Sequence, residues 1–322
     1  MNSRRLFVWS LVSIGAAAIA ITAFGLVTQR DARNDAEEFA ASRQAFAPVS
    51  FEVLGVLDAD LLESSGLAVS RTHEGVLWTH NDSGSGPILH AIRMDGTLIR
   101  RFRVLANAID WEALDLGPCP PNSGLGGAGG GDCLYIGDLG DNGGRRPNYQ
   151  LYVVPEPDPL SEDAAALVPR TLQYRYAEGP DNTEAMAVTP SGRITWVTKG
   201  SKGRMGIYHS EFEEWVEALD RQVLVLESVG VLPMPRDFPW WRTVTGAGYS
   251  RSGELLAVRS YSEISFFTVD ENGTLREVGE ACYLGQSEPQ GEAVAFLDER
   301  TLLTTSEGAR GGPPALYQMT CG

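Results

Sequence analysis

Three glutamates occupy one place in a recurring four-residue pattern, and their chemistry depends on whether the fold brings them together. The pattern is a polar residue, then Gly or Ala, then an apolar or small residue, then usually Ala. It occurs as Ser65-Gly66-Leu67-Ala68, Glu112-Ala113-Leu114-Asp115, Glu184-Ala185-Met186-Ala187, Thr245-Gly246-Ala247-Gly248 and Glu292-Ala293-Val294-Ala295. Carboxylates gathered at one point repel one another. They need a cation, a basic neighbour or a shared proton. An all-oxygen set of flexible geometry suits Ca²⁺, which takes about 6–8 oxygen ligands.

Other residues extend this set. Asp138 and Asp141 lie in Gly137-Asp138-Leu139-Gly140-Asp141-Asn142, which adds oxygen donors and a tight turn. The EF-hand spacing and its terminal Glu are missing. Lys199, Arg242 and Arg259 offer the opposing reading, in which the glutamates are simply held by basic side chains and backbone amides. Trp240 and Trp241 follow Pro239 in an expected loop. Two such rings can stack a ligand or anchor a partner, or can pack over a rim between structural units. Asp82, Lys199, Arg259 and Glu307 fall at the ends of expected strands on the same face, so they join the candidates for ligand or partner binding. Among the four histidines only His80 is expected there. No Gly-x-Ser-x-Gly elbow, His-Glu-x-x-His or Walker loop occurs, so no complete catalytic set is visible.

The elements that must position these residues are strands. From Phe51 onward, short alternating runs are separated by turn residues. Hairpin turns are marked at Met94-Asp95-Gly96-Thr97, Pro190-Ser191-Gly192-Arg193, Arg251-Ser252-Gly253-Glu254 and Glu271-Asn272-Gly273-Thr274. Three further strand-like runs follow the first and fourth repeats. Only two follow the last, at 301–306 and 315–320. One orphan run, 51–57, precedes the first repeat. If it completes the last unit, every unit has four strands. Four-stranded units repeated radially are propeller blades, and pairing of the chain ends closes the ring. The expected architecture is all-β, a five-bladed β-propeller over 51–322, with six blades as the alternative if an insertion hides one. The two long intervals between repeats hold the insertions: the glycine-rich loop and 155–169 in one, a short helix at 211–219 in the other. In such a ring Ser65, Glu112, Glu184, Thr245 and Glu292 surround the channel mouth at one end, here called the top. Gly and Ala beside them allow the crowded inner strands to approach.

Four segments carry a family resemblance: Ser65 to Ala68, Asp110-Trp111-Glu112-Ala113-Leu114, Tyr135 to Asn142, and Asn182-Thr183-Glu184-Ala185-Met186. They look like the blade starts of bacterial calcium-associated propellers, the phytase-like and gluconolactonase-like superfamilies. The resemblance lies at the level of fold, over about 51–321. It implies metal binding by acidic residues at the channel mouth, which carries over to Glu112, Glu184 and Glu292. The enzymes' other metal-ligand and phosphate-binding motifs are not recognisable.

Charge and the chain's first residues bound its location. The net charge of −16 excludes a nucleic-acid partner, which needs a basic footprint. Arg4 and Arg5 precede an uncharged run over 6–27, long enough to cross a hydrocarbon core as a helix. Residues 1–5 are then cytoplasmic by the positive-inside rule. Residues 28–50 form a linker, and the propeller lies on the periplasmic or extracellular side. A cleaved signal peptide is the rival, although its apolar region is normally shorter. Of the four cysteines, Cys119 and Cys133 bracket a loop rich in Gly, Pro and Ser, and Cys282 and Cys321 would form a second bridge. The alternative is four free thiols. The leading functional reading is a membrane-anchored binding or scaffold module, an accessory subunit of a larger membrane complex, with Ca²⁺ as its expected cofactor. The alternatives are a metal-dependent hydrolase of phosphoesters or lactones, and a sensor of a small ligand or sugar.

Overall fold

Alternating runs broken by turn residues become antiparallel strands, and the strands gather into five sheets. The computed structural model describes residues 46–322, apart from 122, 126–130, 163–165, 233–239, 271–272, 286 and 309–313. The expected membrane helix at 6–27, its cytoplasmic flank and most of the linker lie outside the described residues. Among the described residues no helix is long and apolar enough to cross a membrane.

The first blade is built of Ser64–Val69, Val76–Asn81, Ile88–Arg93 and Leu98–Val104. The second is built of Trp111–Pro118, Asp132–Asp138, Tyr149–Pro155 and Arg170–Tyr176. The third holds Thr183–Val188, Ile194–Thr198, Gly206–Ser210 and Ser228–Val231, and the fourth holds Val244–Tyr249, Leu256–Ser260, Glu263–Val269 and Leu275–Glu277. The fifth takes Gln290–Phe296, Thr301–Glu307 and Ala315–Cys321 from the C-terminus. Its outer strand is Val49–Val56, paired antiparallel with Ala315–Cys321, Phe51 opposite Met319. The orphan run therefore closes the ring, beginning two residues earlier than expected. The first strand of each blade stands innermost, beside the innermost strands of the blades before and after it. Five blades are present, not six.

Apolar side chains pack in five clusters, one at each blade interface. Trp78, Phe102, Trp111 and Tyr152 meet between the first and second blades. Tyr135, Tyr149, Tyr174, Trp196 and Tyr208 meet between the second and third. Small residues let the inner strands close on the axis, as the repeat implies. A Cβ on Gly246 would lie 2.5 Å from the Glu292 carbonyl oxygen. The insertions do more than loop out. Ala166–Leu167 extends the first blade in parallel with Leu98–Val104, and Val223–Leu226 extends the second in parallel with Arg170–Tyr176. The expected helix forms as α1 (Phe212–Ala218), whose Trp215 is buried and donates to the Gly192 carbonyl at 2.8 Å. Both expected disulfides are present, Cys119–Cys133 and Cys282–Cys321. The second ties the strand Cys282–Tyr283 of the fourth sheet to the C-terminal strand of the fifth.

Candidate functional site

Each innermost strand breaks register with its neighbour at one place. The breaks lie between Ser64 and Gly66, Trp111 and Ala113, Thr183 and Ala185, Val244 and Gly246, and Gly291 and Ala293. The residues left over are Ser65, Glu112, Glu184, Thr245 and Glu292. A bulge leaves its extra residue out of the ladder and re-aims the side chain. Five bulges at equivalent positions turn these five side chains to the same end of the channel. All five are buried. The Ser65 hydroxyl lies 3.2 Å from both the backbone carbonyl and the Oε2 of Glu112. Thr245 donates to the Gly291 carbonyl at 2.9 Å.

The glutamates share one electrostatic environment. Burial, followed by the charges of Glu184, Asp82 and Asp110, raises the Glu112 carboxyl well above the usual range. Burial and then Glu184 do the same to Glu292. Burial also raises Glu184, against the pull of Lys199, whose ammonium lies 2.9 Å from its Oε1. Asp110 is pushed up to about 6 by burial and then by Asp82. Glu307 is pushed up to about 7 by the same two causes.

One part of the mouth gathers carboxylates tightly. Asp82, Asp110 and Glu112 each offer an oxygen within 4.8 Å of the others. Asp82 follows the second strand of the first blade, and Asp110 and Glu112 flank Trp111 at the start of the second blade. The backbone of Gly140 forms a wall of this pocket. A Cβ there would run into the Asp110 carboxylate and lie 2.6 Å from Glu112 Oε1.

The other candidates divide. Asp138 is buried and paired with Arg146 at 2.8 Å. It accepts the Asp110 amide at 3.1 Å, so it holds the turn that presents Asp110. Asp141 accepts the amides of Arg145 and Arg146 at 2.9 and 2.8 Å and the Tyr149 hydroxyl at 3.1 Å. Both carboxylates are thus already engaged, Asp141 close to its own loop and Asp138 between its loop and the turn before Trp111. Arg242 pairs with Glu263. Arg259, expected at the mouth, is instead fully buried. It is tied to Glu288 and donates to the carbonyls of Ala293 and Thr305 at 2.8 and 3.3 Å, locking the fourth blade to the fifth. His80, also expected on the top face, is fully buried, and its ring meets Trp111 edge-on. Trp240 is 69% exposed and packs against Trp241 and Tyr261, and the Tyr261 ring also lies against Lys199.

Sequence reasoning missed Asp110, Gln290 and Tyr261 as site residues. Gln290 donates from one amide nitrogen to Glu292 Oε1 at 2.9 Å and to Glu307. A signal for the first two existed. The position two before each bulged residue is polar in all five repeats: Glu63, Asp110, Asn182, Thr243 and Gln290. Four of these stand just before the inner strand and the fifth opens it, so the repeat begins two residues earlier than its small-residue core. Tyr261 follows the second strand of the fourth blade and carries no such mark.

No protein-family model matches this sequence, and no curated protein matches it. Solved structures do. The PQQ-bound aldose sugar dehydrogenase of Streptomyces coelicolor is 11% identical, with a TM-score of 0.44 over 86% of this chain and 99% of that one. A putative oxidoreductase (glucose dehydrogenase) of Thermus thermophilus is 12% identical, with a TM-score of 0.44 over 84% and 100%. The β-propeller domain of Cps50 (Swd1) of Myceliophthora thermophila is 13% identical, with a TM-score of 0.42 over 80% and 84%.

Proposed function

We propose that this chain is a cation-dependent binding module, a propeller held by its N-terminal helix on the non-cytoplasmic side of a membrane as part of a larger membrane assembly. The observation that carries the reading is the trio Asp82, Asp110 and Glu112, whose oxygens approach within 4.8 Å of one another. The basic groups nearby are engaged elsewhere, Lys199 on Glu184 and Arg146 on Asp138. The donors are carboxylate oxygens, with the Ser65 hydroxyl on Glu112. A hard divalent cation suits that set, and Ca²⁺ tolerates its irregular geometry best. A bound ion would relieve the mutual repulsion that, after burial, raises Asp110 and Glu112. Asp82, Asp110 and Glu112 would hold it, while Asp138 and Gly140 fix where Asp110 sits.

A second reading, a metal-dependent hydrolase of phosphoesters or lactones, draws on Asp110 alone. In this reading Asp110 leaves the ion to its neighbours and, pushed up to about 6 by burial and then by Asp82, serves as the general base. When bound, the metal would supply an activated water or a polarised carbonyl or phosphoryl oxygen.

Calcium titration of the purified protein tests the first reading. Millimolar Ca²⁺ should raise the melting temperature, by roughly 2.7 kcal/mol of stabilisation at a hundred times the dissociation constant. Glu112→Gln and Asp82→Asn should each weaken that response at least about tenfold while leaving the metal-free protein folded. A flat titration overturns the cation site. Calcium-dependent turnover of p-nitrophenyl phosphate or a simple lactone, lost in Asp110→Asn, would replace the binding module with the hydrolase.

A further inference from the structure

We propose that the side of the mouth formed by the fourth and fifth blades is a second subsite, which seats an alkylammonium group. The group is carried either by a small free amine or by a lysine side chain of a protein partner. Four features support it, and none depends on the divalent cation.

The first is a pair of acids to which no basic side chain is bonded among the described residues. Glu292 and Glu307 share a single neutral donor, the Gln290 amide, and the neighbouring ammonium of Lys199 is bonded to Glu184. The second is an orphaned oxygen. Glu292 is turned into the mouth by its bulge and is 3% exposed, yet its Oε2 has no hydrogen-bond partner among the described residues. A buried acceptor left unmade is costly, and a donor supplied by a ligand removes that cost.

The third is that the adjoining third blade already presents one ammonium to this side of the mouth. Lys199 Nζ lies 2.9 Å from Glu184 and 5.7 Å from the centre of the Tyr261 ring. An ammonium between a carboxylate and an aromatic face is the arrangement proposed for the ligand, and here the chain makes it with its own side chain. The fourth is an aromatic approach. Trp240 is 69% exposed and stands 5.6 Å from Tyr261 and 6.0 Å from Trp241. Its exposed ring offers a surface on which the alkyl part of a cation can pack.

Other ligand classes fit less well. An anion meets several carboxylates and one lysine. A bare metal ion has no use for an exposed indole. A neutral polyol would stack on Trp240 but leave the Glu292–Glu307 pair without a countercharge.

Titrating the purified full-length protein with n-butylammonium chloride and with N-acetyl-lysine-N-methylamide, in the presence of Ca²⁺, tests the proposal. Binding is read by calorimetry and by tryptophan fluorescence, with glucose and n-butyrate as neutral and anionic controls. Both ammonium probes should bind saturably and change the fluorescence. Trp240→Ala and Glu292→Gln should each weaken that binding about tenfold or more. Trp240→Ala lies on the surface and should keep the parent's melting temperature and Ca²⁺ response, which separates this subsite from the divalent site. Tighter binding of butylammonium points to a free amine, and tighter binding of the lysine amide points to a protein partner. The proposal is overturned if neither probe saturates, if both variants bind as the parent does, or if glucose or butyrate binds as well as the amines.

Discussion

Asp115 is a partly buried carboxylate at the opposite end of the channel, and it makes the sign of a pH effect predictable. It sits on the inner strand of the second blade and accepts the Val188 amide of the third blade at 2.6 Å and the Leu116 amide at 2.7 Å. With Arg71, Tyr249, Ser250 and Phe296 it lines a cavity of ≈ 40 Å³. Burial raises its pKa from 3.8 to about 7, against the two amides, which favour the charged form. In this range the unfolded chain releases its proton first. The folded state therefore binds more protons between the two values, and Asp115's contribution to stability falls as pH rises from about 4 to 7. At about 1.4 kcal/mol per tenfold change in proton affinity, the full loss is roughly 4 kcal/mol by pH 8. Of that, about 2.5 kcal/mol falls between pH 5 and pH 8. Asp115→Asn resembles the protonated carboxyl in shape and never ionises. Relative to the parent, the variant should gain about 2.5 kcal/mol between pH 5 and pH 8. The difference is the quantity to measure, because other groups titrate too. Asp110 and Glu307 act in the same direction, while burial lowers His90 to about 4, which acts in the opposite one. Urea unfolding in chelator, followed by tryptophan fluorescence at pH 5 and pH 8, gives the two midpoints. A difference that stays flat with pH, or a variant that loses ground at pH 8, refutes the reasoning.

Two further outcomes follow from the geometry. Gly140→Ala should cut Ca²⁺ affinity about tenfold or more with little change in the circular dichroism spectrum, because its Cβ would press on Asp110 and lie 2.6 Å from Glu112 Oε1. Calcium-dependent melting curves check it, and an unchanged response removes these two carboxylates from the site. Deleting Val49–Val56 should cause aggregation or loss of cooperative unfolding, since it strips the outer strand from Ala315–Cys321 and leaves an open edge. A deletion that melts like the parent would mean that the ring does not depend on this closure.

The repeat made the five inner strands legible because small residues are demanded wherever strands crowd an axis. The bulges were not legible, because inner strands buried on both faces carry no alternation whose phase an extra residue could shift. The distinction matters most at Arg259. It lies near the end of the second strand of its blade, where a top-facing position is the natural reading. Register places it opposite Gly246, as His80 stands opposite Gly66 and Thr305 opposite Ala293. All three residues are buried, so this position faces the blade interface and not the mouth. What admits a guanidinium there is local. The residue before the bulge is Ser64, Trp111, Thr183 and Val244 in the first four repeats but Gly291 in the fifth, and a Cβ on Gly291 would collide with Arg259. One blade thus exchanges a side chain on its inner strand for a buried cation, whose two terminal nitrogens are held by Glu288 and two carbonyls. The inner strand that gives up its side chain at Gly291 carries Glu292 at the next residue. The rigid clasp around Arg259 therefore fixes the stretch of backbone from which Glu292 reaches into the mouth.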